Sequence, residues 1–109
     1  MEGIELVAFQ IIASVGSARS SYIEAIQAAK QGQIDRAKEL IADGEKQFIQ
    51  GHHAHASLIQ KEASNESVTL NLILMHAEDQ LMSAEGFKTI AEEFIDVYER
   101  FEKLEQKVL

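Results

Sequence analysis

His76 and Asp79 stand three residues apart inside Leu72-Ile73-Leu74-Met75-His76-Ala77-Glu78-Asp79-Gln80-Leu81-Met82, the most apolar run of the chain. Residues at that spacing share one face of a helix. The positions Val68, Leu72, Met75, Asp79, Met82, Gly86 and Ile90 recur with helical period and predict a buried seam that passes through Asp79, with His76 beside it. A carboxylate in such a seam needs a cation, a second polar group or a subunit boundary to meet it, because a buried unpaired charge is strongly disfavoured. The neighbouring imidazole can serve as a nucleophile or as a metal ligand.

The other histidines cluster in His52-His53-Ala54-His55. His52 and His55 are three apart and could share a zinc ion, but helical zinc pairs more commonly use a four-residue spacing, and only His76 could add a further imidazole. The spacing favours His52 as a polar core residue facing His76 or Asp79, with His53 pointing to solvent. The alternative is a His/Asp metal-binding helical bundle built on His52, His55, His76 and Asp79.

Three elements must position these residues. Ile4, Ala8, Ile11, Val15, Ala18, Tyr22, Ala25 and Ala29 step by threes and fours and predict a first helix over about 3–31. Gly16, followed by Ser17, could bend that helix or admit another backbone. Gly32, with Lys30 in the preceding turn, is the stop signal. A second helix over about 33–62 carries the inward stripe Ile34, Ala37, Ile41, Gly44, Phe48, His52, His55 and Ile59. Ala63-Ser64-Asn65-Glu66-Ser67 loses the periodicity and gathers capping residues. The third helix begins at Ser67 or Val68 and runs to about 107, ~60 Å at 1.5 Å per residue. Its second half repeats Ile90, Phe94, Val97, Phe101, Leu104 and Val108, while Asp96 with Arg100 and Glu99 with Lys103 form an outer, solvated face.

Composition agrees with an all-α chain: no proline, six glycines and a preponderance of helix formers. A length of 109 residues predicts one domain, 1–109, folded as an antiparallel up-down-up three-helix bundle. The apolar residues between Val68 and Met82 exceed one stripe, and a three-helix hairpin covers one side only. Copies of the same helix are the economical source of the other cover, so the expectation is a homotrimer. The net charge of −8 argues against nucleic acid or an anionic membrane as partner. The absence of cysteine excludes a disulfide framework and a thiol nucleophile and fits a reducing compartment. The amino terminus is acidic where a signal peptide would be basic, and no apolar run approaches the ~20 residues of a membrane span. The expected location is the cytoplasm, without membrane insertion.

Over nearly its whole length the sequence resembles the IIA component of the lactose/cellobiose (chitobiose) class of the bacterial phosphoenolpyruvate-dependent sugar phosphotransferase system. The resemblance rests on Gly16-Ser17-Ala18-Arg19-Ser20, Ala29-Lys30-Gln31-Gly32, His52 ahead of Lys61-Glu62-Ala63, and above all His76-Ala77-Glu78-Asp79-Gln80-Leu81-Met82. It implies that His76 is the phosphorylated residue. It also implies that Asp79 from three subunits meets a divalent metal ion, such as Mg2+, on the axis of a homotrimer. Two positions depart from the family pattern, which commonly has Gln in place of Glu78 and His in place of Gln80. The implied donor is the histidine-containing phosphocarrier protein and the implied acceptor a cysteine of the cognate IIB component, serving uptake of lactose, cellobiose or chitobiose-type disaccharides. The chemistry suits that role: a neutral imidazole is nucleophilic, and a phosphorylated ring nitrogen is a good leaving group. The chain holds no Gly-x-x-x-x-Gly-Lys-Ser/Thr phosphate loop, which points to a phosphoprotein donor rather than a nucleotide.

Overall fold

The computed structural model describes residues 3–108, in which three helices follow one another: α1 (Gly3–Lys30), α2 (Ile34–Ala63) and α3 (Leu72–Val108). Among the described residues there is no strand, so the all-α expectation is met. The body measures 62 × 23 × 20 Å, its long dimension set by the 37 residues of α3. No helix is long and apolar enough to cross a membrane among the described residues.

α1 folds as its periodicity requires. Ala8, Ile11, Val15, Ala18, Tyr22, Ala25 and Ala29 are all buried, and Ile4 packs against the same core. The helix runs through Gly16 without interruption, and a Cβ placed there would meet nothing within 4 Å, so no backbone approaches it. It ends where Gly32 takes a positive φ of 81°. The Gln33 N–H then reaches back to the Ala28 carbonyl at 2.9 Å and the Gly32 N–H to that of Ala29 at 3.0 Å, a pairing that satisfies the last carbonyls of the helix. α2 closes in the same way, with Asn65 at φ 66° and bonds from Glu66 N–H to Lys61 O and from Asn65 N–H to Glu62 O.

The close approaches belong to α2. A Cβ at Gly44 would lie 2.5 Å from Tyr22 Cε1 and 3.2 Å from the Ala18 carbonyl oxygen, and one at Gly51 would lie 2.8 Å from Val15 Cγ1. Only hydrogen fits at these two positions, and they let α1 and α2 press together. Ser21 adds a buried hydrogen bond, its Oγ–H donating to the Leu40 carbonyl at 2.8 Å. The buried face of α2 is therefore Ile34, Ala37, Leu40, Gly44, Gly51 and Leu58. This corrects the expected inward stripe at five places: Ile41, Phe48 and His55 are half-buried, while His52 and Ile59 are exposed. The glycine side of α2 faces inward because it permits the closest packing, and the bulkier side is rotated to the rim.

The core is continuous but differs along its length. One end joins Ala8, Ile11 and Val15 of α1 to Leu58 of α2 and to Leu74, Ala77, Leu81 and Ala84 of α3. The middle layer is Ala18, Tyr22 and Ala91, and the far end joins Ala25, Ala28 and Ala29 to Ile34, Ala37, Leu40 and Ile95. Tyr22 is fully buried in that middle layer and its hydroxyl has no hydrogen-bond partner. Burial, reinforced by Glu45 and Glu92, pushes its ionisation up to about 12. Nearby, the hydrogen bond with Glu45 holds the Lys88 ammonium above its ordinary range.

A raised phenol favours the neutral form in the folded chain, so its contribution is fully present below about pH 10 and is lost as the pH rises toward 12. Roughly 2–3 kcal/mol should disappear over that window, with Lys88 contributing in the same direction. Tyr22→Phe removes an unpartnered buried hydroxyl, so it should be neutral or stabilising at pH 7 and should flatten part of the alkaline loss. Urea melts of both proteins at pH 7 and at pH 11 to 12 read this directly; equal alkaline losses would mean that Tyr22 titrates normally.

Candidate functional site

α3 starts at Leu72, later than the expected Ser67 or Val68, because Asn71 provides the cap. Its Oδ1 accepts the Leu74 N–H at 2.9 Å, while its carbonyl accepts the Met75 N–H. Residues 59–67 are exposed, so nothing holds Ser67 in a helical turn. The predicted element is thus shorter at its amino end, and His76 lies in the second turn.

The buried face of α3 is Leu74, Ala77, Leu81, Ala84, Ala91 and Ile95. The seam expected through Asp79 is not buried within the chain: Leu72, Met75 and Met82 are 83%, 59% and 62% exposed, and Asp79 and Gly86 are exposed as well. The reason is that α3 has two apolar faces. The one rich in alanine packs close against α1, which leaves the one with larger side chains outside. That outer stripe continues through Ile90, Phe94, Val97, Phe101, Leu104 and Val108, all exposed. Asp79 lies within it between Met75 and Met82.

His76 is exposed at the border of this stripe, beside a shallow apolar recess that it lines with Leu72 and Ile73. Among the described residues neither the His76 nor the Asp79 side chain makes a hydrogen bond or ion pair. An unencumbered imidazole at the surface can attack an electrophile carried by another molecule, which a buried one cannot. The recess beside it is open to solvent, lined by Leu72 and Ile73.

The four histidines do not converge. His53 is exposed as expected, but so is His52, whose ring stacks on Phe48 with centroids 6.2 Å apart. His52 is therefore not a core residue facing His76 or Asp79. His55 is the half-buried one, and its Nε2 lies 2.6 Å from Glu78 Oε1. Among the described residues no group of three or more His, Cys, Asp or Glu could hold a metal ion. This overturns the metal-binding bundle of His52, His55, His76 and Asp79 as a site of one chain. A single chain offers Asp79 alone to a cation, so a metal there fits only if other copies bring their own carboxylates. The His55–Glu78 contact is the site feature that sequence reasoning missed, since a contact between helices depends on their register and leaves no local pattern.

The structure thus places an exposed histidine in the second turn of the third helix, beside a shallow apolar recess. The family described as "PTS system, Lactose/Cellobiose specific IIA subunit" matches residues 6–99, and the chain belongs to it. It is similar to the lichenan-specific phosphotransferase enzyme IIA component of Bacillus subtilis (strain 168), with 40% identity over 91% of this chain and 90% of the relative. Among solved structures, the cellobiose-specific enzyme IIA of Bacillus anthracis superposes with a TM-score of 0.90, at 38% identity over 94% of this chain and 95% of that one. The chitobiose IIA of Escherichia coli, solved in complex with HPr, superposes with a TM-score of 0.79 at 27% identity, over 94% of this chain and 99% of that one.

Asn71→Ala should cost about 1 kcal/mol through loss of the cap. That corresponds to a fall in Tm of roughly 4–8 °C for a chain of this size, and Asn71→Ser should keep most of it. Hydrogen exchange at the Leu74 amide gives the local check: unchanged protection in Asn71→Ala would mean that α3 does not depend on this bond.

Proposed function

We propose that this chain is a phosphoryl carrier of the phosphoenolpyruvate-dependent sugar phosphotransferase system, and that His76 carries the phosphoryl group. The observation that supports it most directly is the exposed, unpartnered imidazole of His76 within the family-matching region 6–99. A ring nitrogen of His76 attacks the phosphorus of a phosphohistidine on the donor; the new N–P bond forms as the donor's N–P bond breaks. A cysteine thiolate of the IIB component then attacks the same phosphorus, forming S–P as the His76 N–P bond breaks. The loose transition state of phosphoryl transfer demands in-line approach and charge stabilisation more than an enclosing pocket, which suits a shallow recess completed by the partner. The donor is the histidine-containing phosphocarrier protein, a reading supported by the relative solved with HPr. The sugars served are lactose, cellobiose or chitobiose-type disaccharides, and the carrier works in the cytoplasm as one helical domain with an up-down-up arrangement.

The uncovered stripe of α3 supports a homotrimer. Exposed large apolar residues from Leu72 to Val108 repeat at the spacing of a coiled-coil seam, and a stripe of that length is a surface made to be covered. Threefold symmetry would bring three Asp79 carboxylates together, with repulsion of about 4 kcal/mol per pair at ~4 Å and an effective dielectric of ~20. A hard divalent cation such as Mg2+, held by those carboxylates, would supply the charge that offsets it.

Incubation with phosphoenolpyruvate and the two general phosphotransferase proteins should add one phosphate per chain, mapped by mass spectrometry to His76. His76→Gln should abolish the label, and phosphate retained in that variant would move the site elsewhere.

Light scattering at micromolar concentration should give the mass of a trimer; a monomer would remove this reading of the stripe. Asp79→Leu should yield an assembly that is more stable, by roughly 1.5–3 kcal/mol per chain, and indifferent to EDTA. A wild type that melts higher than Asp79→Leu in EDTA would show that Asp79 does not sit on a shared axis.

A further inference from the structure

Among the described residues three ion pairs join α2 to α3: Lys38 to Glu99, Glu45 to Lys88, and His55 to Glu78. The first two lie well along α3, and only the third reaches the turns that carry His76. An ionised carboxylate can only accept, so His55 Nε2 carries the hydrogen and donates it to Glu78 Oε1 across 2.6 Å. So short a bond has the length of a charge-assisted one. The imidazole is largely sheltered, with 17% of its side chain exposed, whereas the carboxylate is 43% exposed and would be free to move if released.

Glu78 is two residues from His76, and at 100° per residue the two side chains leave α3 in nearly opposite directions. The bond to His55 keeps the Glu78 carboxylate on the α2 side. A phosphoryl group brings a charge of about −2 to the other side, beside Asp79 and on a chain whose net charge is already −8. We propose that His55 is a positioning residue for phosphoryl transfer at His76: by holding the Glu78 carboxylate on the α2 side through this hydrogen bond, it keeps that negative charge away from the arriving phosphoryl group. This rests on the carrier reading of His76 and adds to it a residue on another helix that touches neither the donor nor the phosphoryl group.

The test follows transfer from phosphorylated HPr to wild type, His55→Ala, Glu78→Gln and the double variant at low and high ionic strength, read as phosphate on His76. His55→Ala should lower kcat/KM roughly fivefold at low salt, and the deficit should shrink as salt screens the freed carboxylate. Glu78→Gln should be close to wild type, and adding it to His55→Ala should restore the rate, because no charge remains to be held. His55→Leu fills the same space without a donor and gives the same reading should His55→Ala fold poorly. A His55 variant as fast as wild type, a deficit insensitive to salt, or a double variant as slow as the single would each overturn the proposal while leaving His76 as the carrier. Wild type without phosphate on His76 would overturn the carrier reading and this one with it.

Discussion

Ala77 is fully buried against α1, and the direction of every candidate side chain near it follows from that contact. With successive residues 100° apart, His76 and Glu78 must leave α3 on either side of the Ala77 direction, and Asp79 must point almost away from α1. A larger residue at this position would separate the two helices and turn those directions. The same device recurs at Ala84 and Ala91, and on α2 at Gly44 and Gly51, where Tyr22 and Val15 occupy the space a side chain would take. Small residues set the spacing and rotation of the helices, and the chemistry takes its orientation from them.

This explains which parts of the chain were legible in its sequence. On α1 the stripe read from the sequence is the one that packs: all of its positions from Ala8 to Ala29 lie in the core, while Leu6, Phe9 and Ile23 on another face are exposed. The ends of α1 and α2 were equally readable, because Gly32 and Asn65 take the positive φ for which their side chains carry a small penalty. On α2 and α3 two stripes compete. Periodicity weighted by bulk selects Phe48, Ile59, Met75 and Met82, but packing within one chain selects Gly51, Ala77 and Ala84, which show almost no hydrophobic signal. The choice is made by how closely two backbones can approach, a quantity that only the assembled bundle defines. The start of the third helix was misplaced at Ser67 or Val68 because Asn71, four residues before Met75, is the residue whose side chain caps it, a choice fixed by where Leu74 finds its core contacts.

Of the candidate site, His76 and Asp79 were visible as a polar pair in an apolar run, but the reason for their visibility was misread. An apolar surround ordinarily signals burial within the chain. Here it marks the stripe that the chain leaves uncovered, and His76 borders that stripe instead of facing a core. His52 shows the converse error, since its position beside Phe48 suggested an interior residue, whereas the ring lies outside against Phe48. His55, three residues later, is the one that turns toward α3.

The exposure of His76 and the exposure of the stripe have a common consequence. A carrier histidine must meet a donor and then an acceptor, so it gains from lying open, while a long apolar stripe does not and tends to be covered. The two lie side by side at Leu72, where the recess that His76 lines meets the beginning of the stripe. A molecule that covered the stripe up to Leu72 would therefore end within reach of the imidazole and form one wall of its surroundings. If that cover is another copy of the chain, the recess is completed by a subunit before any partner arrives, and a change that weakens assembly would alter phosphoryl transfer without touching His76. Assembly and chemistry would then be one property of α3, divided between the face that Ala77 keeps inside and the face it leaves out.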